Sequence, residues 1–294
     1  MEKILRDKKA IFLFVFPAFF VFVVIVLLPI VVSIYYSLLD WDGISKGIFI
    51  GLKNYKDLFI RNTDGFILAV RNSFILALLS VFIQLPISLF LALVLSREVK
   101  GEKFYRTVYF IPVILSTVVI GQLWMKIYNP DYGLLNFLLT KIGLQSLTNQ
   151  WLGNPKTALM AVFVPIVWQY IGYHMLLMYT SAKSIPTDIY EAAKIDGATE
   201  SQIAFKITIP LMKPMLKVCV TFAVIGSFKT FDLIYVLTNG GPLHASEVPS
   251  TLMYNMIFFR YRYGYGSAMA VFIVAEALIG TLIIQKLFAN DDAN

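Results

Sequence analysis

The sequence predicts an all-α, polytopic membrane protein with six transmembrane helices. Three observations predict it. Apolar residues make up 58% of the 294-residue chain and charged residues 15%, against roughly 45–50% and about 25% in soluble domains. The apolar residues collect in four stretches free of charge, 11–32, 73–96, 107–125 and 157–182. Each is long enough to cross a hydrocarbon core of about 30 Å at about 1.5 Å of helical rise per residue. Two further apolar runs follow, 218–237 and 267–285, broken only by Lys229 and Asp232 in one and Glu276 in the other. The six spans are placed at about 11–32, 73–96, 107–126, 157–182, 216–237 and 267–287.

Residues 1–10 form a basic, polar lead-in. The run 11–32 is too long for the apolar core of a signal peptide, and no small-x-small cleavage site follows it, so it reads as a retained first span. Residues 33–71 form an external loop whose DWDGISKG segment is rich in turn formers. Around Asn54 and Tyr55 a short interfacial helix is expected. Spans two and three contain Pro86 and Pro112, which kink membrane helices and free a carbonyl; plain packing geometry is the preferred reading of both. Residues 129–136, NPDYGLLN, form a turn cluster at the outer surface. Span four is followed by a polar loop, 184–212. A third external loop after span five holds TNGGP, and residues 290–294 are a tail. No internal repeat or low-complexity tract divides the chain, so residues 11–289 read as one membrane domain. The single cysteine, Cys219, cannot form an internal disulfide and reads as a small buried hydrophobe.

Six spans put both termini on one side. The loops on that side carry 14 Lys and Arg in 68 residues, and the opposite loops 11 in 110. The denser side belongs in the cytoplasm. Both termini and the 184–212 loop are therefore expected inside, and the net charge of +7 reflects topology rather than nucleic-acid binding.

Within that loop, Thr187 is expected to cap a short helix and Asp188 to suit its first turn. Gly197 ends it in a left-handed conformation. Thr199 and Gln202 form the T-x-x-Q pattern of a capping box, and Pro210 is expected to stop the second helix. Ile189, Ala192, Ala193 and Asp196 share one face of the first helix, where two alanines allow close approach of another surface.

Residues 191–210 read EAAKIDGATESQIAFKITIP. The segment resembles the cytoplasmic signature loop of bacterial ABC-importer permeases, E-A-A-x3-G-x9-I-x-L-P. Glu191, Ala192, Ala193, Gly197, Ile207 and Pro210 match, and Ile209 replaces the usual leucine. Residues 231–242, FDLIYVLTNGGP, and 129–136 are similar to segments of the oligosaccharide group, which includes maltose and glycerol-phosphate importers. The resemblance spans nearly all of the chain from span two to span six. It implies the type I importer permease fold and a coupling loop formed by Glu191, Ala192, Ala193, Asp196, Gly197, Ile207 and Pro210. It implies a multi-pass protein of a bacterial cell membrane that moves substrate by alternating access. The implied partners are a second homologous permease chain, two ATPase subunits carrying ATP and Mg, and an extracytoplasmic solute-binding protein.

The chain itself has no phosphate-binding G-x-x-x-x-G-K-[ST] loop, and neither His174 nor His244 sits in a metal-ligand pattern. No nucleophile–base pairing stands out. The sequence thus reads as a transport subunit without a cofactor of its own. A sugar pathway needs hydroxyl partners and aromatic surface, and polar side chains inside spans face the bundle or a water-filled cavity. Candidates are Gln122, Trp168, Gln169, Tyr170, Tyr173, Ser227, Lys229, Asp232 and Glu276, with Gln84, His174, Phe228 and Thr230 behind them. The aromatics are equally read as helix packing or interface anchors, and Lys229 and Asp232 as a simple pair. Two other functions remain open: import of another solute such as glycerol phosphate, and ion-coupled secondary transport, against which the absence of repeats argues.

Overall fold

The computed structural model describes residues 8–97 and 99–289. The expected lead-in up to residue 7 and the tail 290–294 lie outside the described residues. Helix α1 spans residues 8–37, with a π turn at Val23–Leu27. It outruns the expected end at 32 because the next residues, SIYYS, are uncharged and contain no breaker. Strands β1 (Leu39–Asp40) and β2 (Ile48–Phe49) pair antiparallel in the register Leu39↔Phe49 and Asp40↔Ile48. Helix α2 covers 53–61, at the position expected for the short helix.

Helix α3, Phe66–Leu95, begins seven residues before the expected 73, so Arg71 lies in the helix and not in a loop. The expected third span is two helices, α4 (Glu102–Ile114) and α5 (Thr117–Ile127), bent by 97°. Pro112 does not mark the bend; the break falls after it, where Leu115 takes an extended conformation (φ −73°, ψ 145°). Helix α6 is Leu134–Lys141 and α7 is Ala158–Lys183. Helices α8 (Thr187–Ile195) and α9 (Glu200–Leu211) form the hairpin. The fifth stretch is also interrupted, into α10 (Lys213–Phe228) and α11 (Asp232–Leu237). Helix α12, Pro249–Phe258, occupies what was expected to be loop, and α13 runs Tyr263–Ala289. Helices α9 and α10 meet at a bend of 71°, and among the described residues four helices are long and apolar enough to cross a membrane, or up to six if the bent pairs α4–α5 and α9–α10 each count as one span.

The chain divides into two compact units, one of residues 1–64 and 253–274, the other of 65–252 and 275–294. In the first, α1 turns its apolar side chains outward, and Phe12, Phe16 and Phe20 stack along it at 4.7 and 5.9 Å. Asn54 Nδ2 donates to the carbonyls of Ser37 and Leu39 at 2.8 and 2.9 Å, fixing α2 beneath β1. The β1–β2 turn is organised by Asp42, whose Oδ1 accepts from the Ile44 and Ser45 amides. Those bonds hold its carboxyl down to about 2, from 3.8. Asp64 anchors Arg260 and Arg262 at 2.8 and 3.1 Å.

The second unit is built around α7. Leu85, Ala92 and Leu95 of α3 pack with Met175, Met178 and Ala182 of α7 and Cys219 and Ala223 of α10. A second cluster joins Leu76, Ile120, Val162, Phe163, Ile166, Leu233 and Ile234. Ser88 Oγ bridges α3 to α7 by donating toward the carbonyls of Gln84 (2.8 Å) and Ile171 (2.9 Å). Helix α4 comes so close to α7 that a Cβ at Gly172 would sit 1.9 Å from the Tyr109 carbonyl oxygen. Gly172→Ala must push the two backbones apart. The expected cost is about 1–3 kcal/mol, seen as a lower melting temperature of the purified protein, whereas Gly226→Ala, with nothing within 4 Å of its added Cβ, leaves it unchanged.

Candidate functional site

Two features of the second unit can do chemistry on a ligand or a partner: a cavity among the broken helices, and the α8–α9 hairpin.

The cavity encloses about 520 Å³. Its walls come from the middle of α3, the middle of α7 and the break between α10 and α11. On α3, a π turn at Ser80–Gln84 precedes Pro86 and turns Ser80 and Gln84 inward. Wide turns of this kind accommodate the missing N–H and ring of a following proline. On α7, Gln169, Tyr170, Tyr173 and His174 line the space. Tyr173 lies edge-on to His174 at 5.2 Å, and His174 Nδ1 is buried with no hydrogen-bond partner among the described residues.

At the break, Lys229, Thr230 and Phe231 leave the helix, Phe231 with φ −142° and ψ −60°. An interrupted span exposes backbone groups that need partners. Here the Thr230 carbonyl accepts from Ser250 Oγ of α12. Asp232 opens α11, where its charge suits the helix N-terminus. Ser227 Oγ reaches back to the Ala223 carbonyl (2.7 Å) and to Ser80 Oγ (3.2 Å). Lys229 and Asp232 both line the cavity, exposed to it, and among the described residues they make no ion pair with each other.

Six of the nine pathway candidates thus meet in one place: Gln169, Tyr170, Tyr173, Ser227, Lys229 and Asp232. Gln122 does not; it is exposed on α5. Trp168 packs against the second apolar cluster, 5.8 Å from Trp124. Glu276 is buried at 6% exposure and is not in the cavity lining, with Ser73 Oγ 3.5 Å from one carboxylate oxygen and, among the described residues, no hydrogen-bond partner on the other. Phe228 is buried against Phe74, while Thr230 reaches the lining. Ser80 and Thr117 were not anticipated; the only sequence signal is a hydroxyl beside a helix irregularity.

In the hairpin, Gly197 closes α8 at φ +76°. Ala198 N–H donates to the Ala193 carbonyl (2.9 Å) and Gly197 N–H to that of Lys194 (3.1 Å), a complete left-handed helix stop. The expected capping box forms: Gln202 N–H donates to Thr199 Oγ1 at 3.3 Å, and Thr199 N–H to Gln202 Oε1 at 2.7 Å. Arg97 ties the start of α9 to the end of α3 through the Glu200 carboxylate (3.3 Å) and carbonyl (3.1 Å).

Three expectations are corrected. Pro186, not Thr187, is the N-cap, so Thr187 is already the first helical residue and no side-chain capping bond forms there among the described residues. Pro210 does not stop α9; the helix runs to Leu211, since the π turn Ala204–Thr208 just before the proline absorbs it. Ala193 faces inward, at 8% exposure, leaving Glu191, Ala192 and Asp196 on the open face with Ile195, 86% exposed. Ile207 is half-buried within the π turn.

A family profile described as binding-protein-dependent transport system inner membrane component matches residues 10–291. The probable ABC transporter permease protein YurN of Bacillus subtilis (strain 168) is 41% identical over 286 residues, 96% of this chain and 97% of that protein. The trehalose/maltose transport system permease protein MalF of Thermococcus litoralis is 33% identical over 283 residues, 96% of this chain and 94% of its own. A crystal structure of a bacterial alginate ABC transporter in complex with alginate pentasaccharide-bound periplasmic protein contains a chain that superposes with a TM-score of 0.81 at 24% identity. That match covers 96% of this chain and 94% of the other, and establishes a shared fold.

Proposed function

The chain belongs to the inner-membrane components of binding-protein-dependent transport systems, and from that premise we propose that it forms half of the pathway of an ATP-driven oligosaccharide importer. Membership makes it a multi-pass membrane permease and not an enzyme, with ATP hydrolysis on a separate subunit. The saccharide reading rests first on the lining of the 520 Å³ cavity. Amides from Gln84 and Gln169, hydroxyls from Ser80, Ser227 and Thr230, and phenols from Tyr170 and Tyr173 offer donors and acceptors to sugar hydroxyls. Aromatic faces suit the apolar sides of sugar rings. The saccharide named for the Thermococcus relative supports the same class.

In this account a second, homologous permease chain completes the pathway, an extracytoplasmic solute-binding protein delivers the sugar, and two ATPase subunits hold ATP and Mg. The assembly sits in a bacterial cell membrane with both termini and the α8–α9 hairpin in the cytoplasm. Glu191, Ala192, Asp196 and Ile195 meet the ATPase, while Ala193, Gly197, Ile207 and Pro210 give the hairpin its shape. Closure of the ATPase pair moves the hairpin as a rigid body, and the cavity alternates between the two sides of the membrane. Lys229 alone would favour a solute such as glycerol phosphate, but Asp232 beside it in the lining opposes an anion.

The test is uptake by the complete importer in proteoliposomes with its binding protein outside and ATP enclosed. A labelled oligosaccharide is expected to accumulate and labelled glycerol phosphate is not. Accumulation of the phosphate alone would replace the substrate class, and uptake driven by an ion gradient without ATP would overturn the mechanism.

A further inference from the structure

The second unit carries an apolar groove of about 560 Å³ that shares no lining residue with the central cavity. Its volume lies within the roughly 300–1,000 Å³ of ordinary small-molecule sites. Three helical stripes converge on it: Trp124 and Ile127 of α5, Leu134 and Leu138 of α6, Met160 and Val164 of α7. Each stripe steps by three or four residues, so each helix turns one face to the same space. Leu134, Leu138, Met160 and Val164 are each about half exposed. The described chain thus builds the groove and leaves it open.

Position and charge identify the occupant. The groove opens where α5 ends and α7 begins, an end that faces outward in the orientation given above. Trp124, Tyr128 and Trp151 form a row there, with ring centres 5.2 and 6.4 Å apart along it. Such amphipathic rings collect at the headgroup level of a membrane. The Trp151 indole is fixed by donating to Asn136 Oδ1 at 2.7 Å. Helix α6 adds exposed Phe137, with the Lys141 ammonium 5.5 Å over its ring, and exposed Ile142 follows. An apolar surface edged with lysine is that of a helix lying in the interface plane, and water would not support it. From Lys156 to Val164 the wall rises about 12 Å, within one half of a hydrocarbon core of about 30 Å. Lys156 is exposed, and among the described residues it is the only charged one in the lining. Residues 124–164 hold Lys126, Lys141 and Lys156 against Asp131 alone, on the side where the positive-inside rule expects few cations. An apolar trough with an unneutralised cation at its mouth fits an amphiphile with an apolar chain and an anionic head.

We propose that this groove holds one acyl chain of an anionic phospholipid from the outer leaflet, with the lipid phosphate against the Lys156 ammonium. The inference rests on the outward orientation given above and is independent of the saccharide. To test it, p-benzoylphenylalanine replaces Leu138 on the groove wall. The complete importer is placed in nanodiscs of phosphatidylcholine with a minor share of phosphatidylglycerol, its binding protein is added, and the sample is irradiated. The mass of the intact permease chain then identifies what the probe has captured. A phospholipid adduct is expected, with phosphatidylglycerol enriched about fivefold over its share of the disc, the worth of one lysine at a membrane surface. Lys156→Glu should return the adducts to the disc's own ratio. Lys141→Glu makes the same charge change on α6 outside the lining and should keep most of the enrichment. Both lysines are exposed, so neither change removes buried packing. Capture of the second permease chain or of the binding protein, no capture at all, lipid adducts in the disc's ratio, or equal losses in the two lysine variants would each overturn the site.

Discussion

Gly226→Trp is expected to stop saccharide uptake while leaving the protein folded and inserted. Gly226 lies on α10, lines the central cavity, and has nothing within 4 Å of where its Cβ would stand. Its backbone is not in the left-handed region, so a side chain adds no strain there. An indole at this point projects into the space between Tyr173, Ser227 and Lys229 that a sugar would fill. Uptake should drop by about a hundredfold or more, an effect worth about 3 kcal/mol, with a normal melting temperature and normal amounts in the membrane. Gly226→Ala should transport as the parent does. Retained uptake in the tryptophan variant would move the pathway out of this cavity.

The second large effect is expected in the hairpin, and it has the opposite signature. Glu191 is exposed and makes no ion pair among the described residues, so Glu191→Lys disturbs little in the chain's own fold. It reverses the charge offered to the ATPase. Gly197→Val acts differently: a side chain at φ +76° costs about 1–2 kcal/mol, and a β-branched one strains the turn that sends α9 back beside α8. Each variant is expected to lower uptake by about tenfold or more and to remove the stimulation of ATP hydrolysis by sugar-loaded binding protein. Co-purification of the ATPase with the permease checks the cause: Glu191→Lys should recover less of it.

The sequence showed the long spans and the hairpin's capping because both are local signals. Gly197, Thr199 and Gln202 fix their turns through neighbours within a few residues, and they fold as expected. The breaks in spans three and five were hidden for the converse reason. A run of apolar residues reads alike as one helix or two, and the interruption at Lys229–Thr230–Phe231 is held by Ser250, twenty residues away, whose hydroxyl takes the Thr230 carbonyl. Helix α12 did carry a local signal, Pro249 at its first position followed by an apolar run without a breaker, but at ten residues it is too short to span and reads with the surrounding loop. The cavity was legible to the level of the span but not of the face. Trp168 and Gln169 are neighbours about 100° apart around α7; one packs with Trp124 and the other faces the cavity. Ala192 and Ala193 divide likewise, one open and one turned against the chain.

Energy entering at the hairpin and substrate passing through a separate cavity is the central claim, and one paired measurement separates the two. Uptake and ATP hydrolysis are followed together in proteoliposomes carrying the complete importer, its loaded binding protein and either Gly226→Trp or Glu191→Lys. The account predicts that Gly226→Trp still hydrolyses ATP in response to the binding protein while moving no sugar, and that Glu191→Lys loses both. Loss of hydrolysis in the cavity variant, or binding-protein-stimulated hydrolysis and uptake in the hairpin variant, would contradict it.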